Sequence, residues 1–296
     1  MKPYCIIGQN YRVDEEVIKE YCLDIVSYTQ KMFPDGEKYV RILDTEKITG
    51  KDIVLINTLY PRQNDSFIET LFLIDALRRT FVRKLVVIIP YLAYSRQDKQ
   101  FLPGEPVSAE VIIKSIREAG ADQLVVIDAH NPQSLKSFNG CAINVLVSDI
   151  LVKKALEYVE NPIILAPDKG ALKRVEYAAV KHGLEYDYLI KSRDRITGEV
   201  SMTPKELNVH GRDVVIVDDI ISTGGTIALA TKHVKKQGAR KVVVAASHGL
   251  MIGNALEKIK GAGVEKIILG NTLGIKHSDN IIEYVEVLGK AFELLS

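Results

Sequence analysis

Asp218 and Asp219 stand side by side at the end of an apolar run, Val214-Val-Ile-Val217, and Ser222-Thr-Gly-Gly-Thr226 follows almost at once. Each residue type in that stretch suits a part of a sugar phosphate. A turn that opens a helix aims backbone N–H groups at an anion, and the helix start adds its positive dipole end. Gly224 and Gly225 have no side chain to hold a phosphate off the backbone. Ser222, Thr223 and Thr226 add hydroxyl donors. Two carboxylates cannot help to bind phosphate and need another task. Accepting hydrogen bonds from vicinal ribose hydroxyls and holding Mg²⁺ nearby are the two open to them.

Other clusters fit the same chemistry. Arg96 can grip phosphate bidentately, and Gln97 can hydrogen-bond a base or a ribose. Asp128 and His130 end an apolar strand-like run, where α/β proteins place ligand residues. On an extended chain, Asp-x-His puts both side chains on one face, and such a pair suits a divalent cation that keeps phosphate oxygens and waters. Asp168 closes another such run and could supply a further Mg²⁺ or ribose contact; Lys169 and Gly170 then open a helix, a second candidate anion nest. Lys191 and Arg193, two apart on an extended segment, face one side and can reach one ligand, ahead of a loop-like Asp194–Glu199. Phosphoryl-type transfer is catalysed largely by positioning and by neutralising charge on the equatorial oxygens, which two such cations could do. There is no Gly-x4-Gly-Lys-[Ser/Thr] loop, Gly-x-Gly-x-x-Gly, His-Glu-x-x-His or Gly-x-Ser-x-Gly. A nucleotide here must be held by other parts.

The elements that position these residues alternate along the chain. Ile53–Asn57, Leu85–Ile89, Leu124–Ile127, Ile163–Ala166, Val214–Val217, Lys241–Ala245 and Lys266–Leu269 are short, nearly continuous apolar runs, as expected of strands covered on both faces of a parallel sheet. Helix-length stretches, Phe67–Arg79, Ala109–Ala119, Lys169–Lys181 and Ile227–Gln237, lie between them. The expected fold is α/β with right-handed crossovers. Gly120–His130 and Gly238–His248 both begin Gly-Ala, carry an apolar run and end in His at one offset, which points to two related domains. The junction is expected near Asn144–Ser148, dividing residues 1–145 from 146–296, with the extreme C-terminus a candidate to pack back on the first domain.

The acidic strand end and its turn resemble the phosphoribosyl diphosphate (PRPP) signature of type I phosphoribosyltransferases. Phe33-Pro-Asp-Gly-Glu37, Pro90-Tyr-Leu-Ala-Tyr-Ser-Arg-Gln-Asp98, Pro103-Gly-Glu-Pro-Val-Ser-Ala109, Asp128-Ala-His130, Pro167-Asp-Lys-Gly170 and Lys191-Ser-Arg193 precede it in order. Together they resemble the ribose-phosphate pyrophosphokinase (PRPP synthase) family over nearly the whole chain. The resemblance implies two tandem phosphoribosyltransferase-like domains, each a mostly parallel sheet flanked by helices. It implies transfer of the diphosphoryl group of ATP to the 1-hydroxyl of ribose 5-phosphate, giving PRPP and AMP for nucleotide biosynthesis. Phe33 looks like the ring that stacks on adenine, with Asp35, Glu37, Arg96, Gln97 and His130 also at the ATP. Asp168, Asp218, Asp219 and residues 222–226 would hold ribose 5-phosphate. Asp128, His130 and Asp168 would hold Mg²⁺, with Mn²⁺ a substitute, and Lys191 and Arg193 would be the catalytic pair. In the family the Phe33 segment reaches a neighbouring subunit's site, which implies a homo-oligomer, dimer or higher. Asp218, Asp219 and a Mg²⁺-bound hydroxide all remain open as the base for the 1-hydroxyl. Ser192, Asp194-Arg195 and Gln100-Phe-Leu-Pro-Gly-Glu-Pro106 depart from the commoner bacterial and animal pattern and look archaeal. A nucleobase phosphoribosyltransferase would share only the acidic strand end and its turn.

Composition narrows the partners. The 296 residues are 47% hydrophobic and 26% charged with a formal net charge of +1, so no bulk attraction to nucleic acid or membrane is implied. No run of apolar residues is long enough to span a bilayer. Three dispersed cysteines offer neither a disulfide framework nor CxxC spacing, and Met1-Lys-Pro-Tyr-Cys-Ile-Ile lacks a signal-peptide core, so the cytoplasm is the expected compartment.

Overall fold

Every residue of Ile163–Ala166 and Val242–Gly249 is buried, as are Ile53 to Ile56. Burial without alternation means that helices cover both faces of a sheet. In a computed structural model, which describes residues 4–193, 200–203 and 205–295, such runs form two six-stranded sheets. The first runs Asp24–Ile25, Tyr4–Ile7, Asp52–Ile56, Lys84–Ile89, Gln123–Ile127, Cys141–Val145 across its width. The second runs Tyr186–Tyr188, Ile163–Ala166, Val214–Ile221, Val242–Gly249, Lys266–Gly270, Ile282–Val285. All neighbours in both sheets are parallel.

Counted in chain order within each sheet, both read 2-1-3-4-5-6. Each also has an antiparallel hairpin inserted between its second and third strands: Tyr28–Met32 with Lys38–Ile42, and Ile190–Arg193 with Val200–Thr203. The fold is thus repeated, but not in the register that the two Gly-Ala segments suggest. Gln123–Ile127 is the fifth strand of its sheet, whereas Val242–Gly249 is the fourth of its own. The likeness comes from a shared local device: Gly120 and Gly238 follow helices with φ +121° and +88°, and glycine takes such angles readily.

The chain divides into two compact units. One comprises Met1–Val145, Thr272–Ile275 and Leu288–Ser296; the other comprises Leu146–Asn271 and Lys276–Val287. In the second unit the helix Gly225–Lys236 buries Ile227, Ala230, Thr231 and Val234 on one stripe. Ile227, Ala230 and Val234 join Val214, Ile216, Val242, Val244, Ile267 and Leu269 in one apolar cluster. The predicted helix from Lys169 resolves into a tight turn, Lys169–Ala171, and an α-helix, Leu172–His182. No helix among the described residues is long and apolar enough to cross a membrane.

Candidate active site

The third strand of the second sheet runs on past Val217 to Ile221, because the neighbouring strand continues beside it: Asp218 lies opposite Ala246 and Ile220 opposite His248. The acidic pair therefore sits within a strand and not after it. Ile252 N–H donates to the Ser222 carbonyl at 2.9 Å, which ties the turn to the next loop. Gly224 caps the helix Gly225–Lys236 with φ +75°, and a Cβ there would lie 2.8 Å from the Ala255 carbonyl oxygen. Two constraints of the fold thus demand glycine at 224. None demands it at 225: a Cβ on Gly225 would meet nothing within 4 Å, and its φ is an ordinary one. Glycine as an exposed first helical residue is a poor helix former, about 1 kcal/mol worse than alanine in a helix interior. What a bare Gly225 does provide is open access to the backbone N–H groups of the helix start, where an anion would sit. Thr223 is exposed and Ser222 and Thr226 are half-buried, so hydroxyls flank the same opening.

The two carboxylates differ in their surroundings. Asp219 is only 4% exposed and its Oδ1 lies 3.8 Å from an Arg174 guanidinium nitrogen that is itself buried. Asp218 is half-buried, and its Oδ1 accepts the Asp219 N–H at 2.9 Å. Lost hydration pushes the Asp218 carboxyl well above its ordinary value, the Asp219 charge pushes it further, and Arg174 opposes both. Arg174 is absent from the motif-based reading, yet a signal was there. Ala171, Arg174, Val175, Ala178 and Ala179 are the buried positions of that helical region, so the arginine occupies an i, i+3, i+4, i+7 stripe otherwise made of apolar residues.

Asp168 follows the strand Ile163–Ala166, and its Oδ1 accepts the N–H groups of Gly170 at 2.8 Å and Ala171 at 3.3 Å. One of its oxygens is therefore a cap for the turn, and the side chain is half-buried. Lys191 and Arg193 lie two apart on the strand Ile190–Arg193, which pairs with Val200–Thr203. Their side chains, and the loop Asp194–Glu199, lie outside the described residues.

In the first unit the hairpin Tyr28–Met32/Lys38–Ile42 carries Phe33, Asp35 and Glu37 at its tip. The tip is closed by Phe33 N–H to the Glu37 carbonyl at 2.7 Å and Gly36 N–H to the Phe33 carbonyl at 2.9 Å. Asp35 Oδ1 accepts the Glu37 N–H at 3.1 Å, so this carboxylate shapes the turn. Phe33 is 38% exposed, with the Tyr39 ring edge-on at 6.1 Å and the Lys31 ammonium 4.5 Å from its centroid. Arg96 is exposed. Gln97 is engaged: its amide donates to Glu105 at 3.3 Å and to the Pro106 carbonyl at 3.4 Å. Glu105 also accepts the N–H groups of Phe101 and Leu102, each at 2.9 Å, so it organises the loop after Arg96.

One geometric expectation is corrected. Asp128 and His130 do not share a face of an extended chain. After the strand Gln123–Ile127 the chain turns at Asp128, whose φ is +43°, and its N–H donates to the Val145 carbonyl at 2.9 Å. Asp128 is fully enclosed and His130 is exposed. Among the described residues no group of three or more His, Cys, Asp or Glu is assembled to hold a metal ion. A Mg²⁺ that arrives with phosphates keeps several waters and needs only one or two protein groups; His130 is exposed in the first unit and Asp168 half-buried in the second.

A repeated parallel α/β sheet, with an acidic strand end and a glycine turn in its second copy, defines a phosphoribosyltransferase-type protein. Residues 142–270 match the phosphoribosyl transferase domain, and residues 6–120 match the N-terminal domain of ribose phosphate pyrophosphokinase. The ribose-phosphate pyrophosphokinase of Sulfurisphaera tokodaii is 42% identical over 88% of this chain and 89% of its own. That of Pyrococcus furiosus is 44% identical over 90% and 93%. The crystal structure of phosphoribosylpyrophosphate synthetase from Mycobacterium smegmatis superposes with a TM-score of 0.87 at 26% identity, covering 100% of this chain and 99% of that one. The chain belongs to the ribose-phosphate pyrophosphokinase family.

Proposed function

We propose that this chain transfers the diphosphoryl group of ATP to the 1-hydroxyl of ribose 5-phosphate, giving PRPP and AMP. The observation that carries the reading is Gly225, a glycine the fold does not require, placed where an acidic strand becomes a helix. An unneeded glycine at a helix start leaves room for a phosphate on the backbone, and the preceding carboxylates supply acceptors for sugar hydroxyls. The 5-phosphate is assigned to Ser222, Thr223, Gly224, Gly225 and Thr226, and the ribose hydroxyls to Asp218 and Asp219. Asp168, half-buried at the end of the strand Ile163–Ala166, is assigned a further contact to the ribose.

ATP is assigned to Phe33, Asp35, Glu37, Arg96, Gln97 and His130. Phe33 offers an exposed ring face for the base, and Arg96 an exposed guanidinium for phosphate. As the 1-hydroxyl oxygen bonds to the β-phosphorus, its proton passes to a base, for which Asp218 and Asp219 are this chain's candidates, the bond from the β-phosphorus to the α-phosphate oxygen breaks and AMP leaves. Lys191 and Arg193 neutralise the charge on the transferring group. His130 and Asp168 are the candidate holders of Mg²⁺, or Mn²⁺ in its place, while the enclosed Asp128 sits one residue from His130's neighbour. Such an ion, when bound, would draw charge from the phosphate oxygens. A cytoplasmic homo-oligomer, with the hairpin tip near a subunit interface, is the assembly that accords with the exposed Phe33 and the family's pattern.

A ³¹P NMR assay with ATP, ribose 5-phosphate and Mg²⁺ tests the reading. The expected result is a C1-linked diphosphate with AMP in equal amount. Consumption of PRPP with nucleobases and no AMP would replace it with a phosphoribosyltransferase.

A further inference from the structure

Glu69 has no exposed surface, and it does not belong to any of the motifs above. It sits on the helix Gln63–Arg79, against which the second strand of the Phe33 hairpin packs. Its two carboxylate oxygens are gripped from both strands of that hairpin. Tyr28 Oη donates to Oε1 at 2.6 Å, and Lys38 Nζ donates to Oε2 at 2.5 Å. A third donor, the Gln9 N–H, reaches Oε1 at 3.1 Å from the segment after the first strand. Lys38 also reaches the Asp65 carbonyl of the same helix at 3.4 Å.

The placement of the two hairpin partners matters. Tyr28 pairs with Ile42 at the base, whereas Lys38 pairs with Met32 at the tip end, one residue from Glu37 and opposite the neighbour of Phe33. Cross-strand pairing puts Tyr28, Gln30, Met32, Lys38, Val40 and Ile42 on one face, and Glu69 binds the first and fourth of these. A two-stranded hairpin alone is marginally stable in water, so its tip is held only as well as its anchor. A buried carboxylate with three donors is a rigid anchor, because hinge motion of the hairpin would leave a buried charge with the Gln9 N–H alone. The Tyr28 phenol is raised by burial and then by its bond to Glu69, so it remains a donor throughout the neutral range.

We propose that Glu69 is a positioning residue for the nucleotide: it clamps Tyr28 and Lys38, and thereby fixes the Phe33–Glu37 tip against the helix Gln63–Arg79. This rests on the assignment of Phe33, Asp35 and Glu37 to ATP, and it adds a residue that acts through them. Glu69→Gln keeps the side chain's size but gives Lys38 no acceptor on Nε2. Tyr28→Phe removes one donor oxygen and nothing else.

The test uses these two variants and two at Lys38, all in the full chain, with two readouts. Hydrogen–deuterium exchange of residues 28–42 reports the clamp, and steady-state kinetics report its consequence. The expected result is exchange faster by about tenfold over 28–42 and KM for ATP higher by about tenfold, with KM for ribose 5-phosphate within about twofold of wild type. Lys38→Met should raise KM for ATP in the same way, and Lys38→Arg, which keeps a cation in reach of Glu69, should bring it most of the way back to wild type. Unchanged exchange in Tyr28→Phe, which should fold even if Glu69→Gln does not, would overturn the inference. So would KM values for both substrates rising together. If wild type forms no AMP, the proposed function fails instead, and the exchange readout still decides whether Glu69 holds the hairpin.

Discussion

Asp218 and Asp219 share a peptide bond but not an environment. Arg174 faces Asp219, and Asp218 is left with lost hydration and a like charge beside it. A carboxyl whose folded pKa lies above its unfolded value of about 3.9 binds its proton more tightly in the folded state. Its contribution to stability is present below the unfolded value and is lost as pH rises through the raised folded value. Without substrates or metal ions, Asp218→Asn should therefore melt above wild type at neutral pH, and the gap should close as pH is lowered to about 4. Thermal melts across that range check this; a gap that did not change with pH would mean that Asp218 is not the strained member. Lys191→Ala belongs to the same scale and rests on the proposed reaction. Turnover should fall about a hundredfold, with ribose 5-phosphate affinity by calorimetry little changed, because a positioned cation acts chiefly on the transition state. Arg174 was legible in principle as a charge on an apolar helical stripe. The left-handed turn at Asp128 was not, since a strand that stops at Ile127 does not by itself say that the next residue takes a positive φ.

At the level of the element, the strand–turn–helix Val214–Lys236 separates what a fold needs from what a ligand needs. Gly224→Ala forces an L side chain to φ +75° and drives its Cβ toward the Ala255 carbonyl. Such strain costs about 1–3 kcal/mol, and the melting temperature should drop. Gly225→Ala meets no obstacle and should hold or raise stability, by up to about 1 kcal/mol. Yet it should weaken ribose 5-phosphate binding about tenfold, the loss expected when one charge-assisted hydrogen bond is blocked. Opposite signs for stability and affinity at adjacent glycines are the pattern to seek in paired melts and titrations; equal tolerance at both would remove the phosphate from this turn. The central strands were readable because Ile163–Ala166 and Val242–Gly249 are buried on both faces and so are apolar throughout. The hairpin strands Tyr28–Met32 and Lys38–Ile42 expose every second residue or more, and their more covered face is largely half-buried and held in part by polar groups, so no apolar pattern announces them.

Across the whole molecule, the chain does not finish where its second sheet finishes. It leaves the first unit at Val145, returns for Thr272–Ile275, leaves again, and ends in the first unit from Leu288. The first return is pinned by Thr58 Oγ1, which donates to the Thr272 carbonyl at 2.7 Å. The second is a short helix, Gly289–Glu293, that buries Ala291 and Phe292 and stacks Phe292 on Tyr21 at 5.1 Å. A junction near Asn144–Ser148 was expected ahead of the helix-like stretch that opens at Asp149. The extreme C-terminus was a candidate to pack back on the first domain, but its partner could not be named, since Tyr21 is remote in sequence. This path makes a mutation near the C-terminus a test of the first unit. Phe292→Ala should remove about 3–5 kcal/mol from that unit, the usual loss for a buried aromatic ring. Ribose 5-phosphate, assigned to residues of the second unit, stabilises the unit that binds it. In calorimetry the transition lowered by Phe292→Ala should then be the one that ribose 5-phosphate does not raise. A single transition shifted by both would show that the two units melt as one cooperative body.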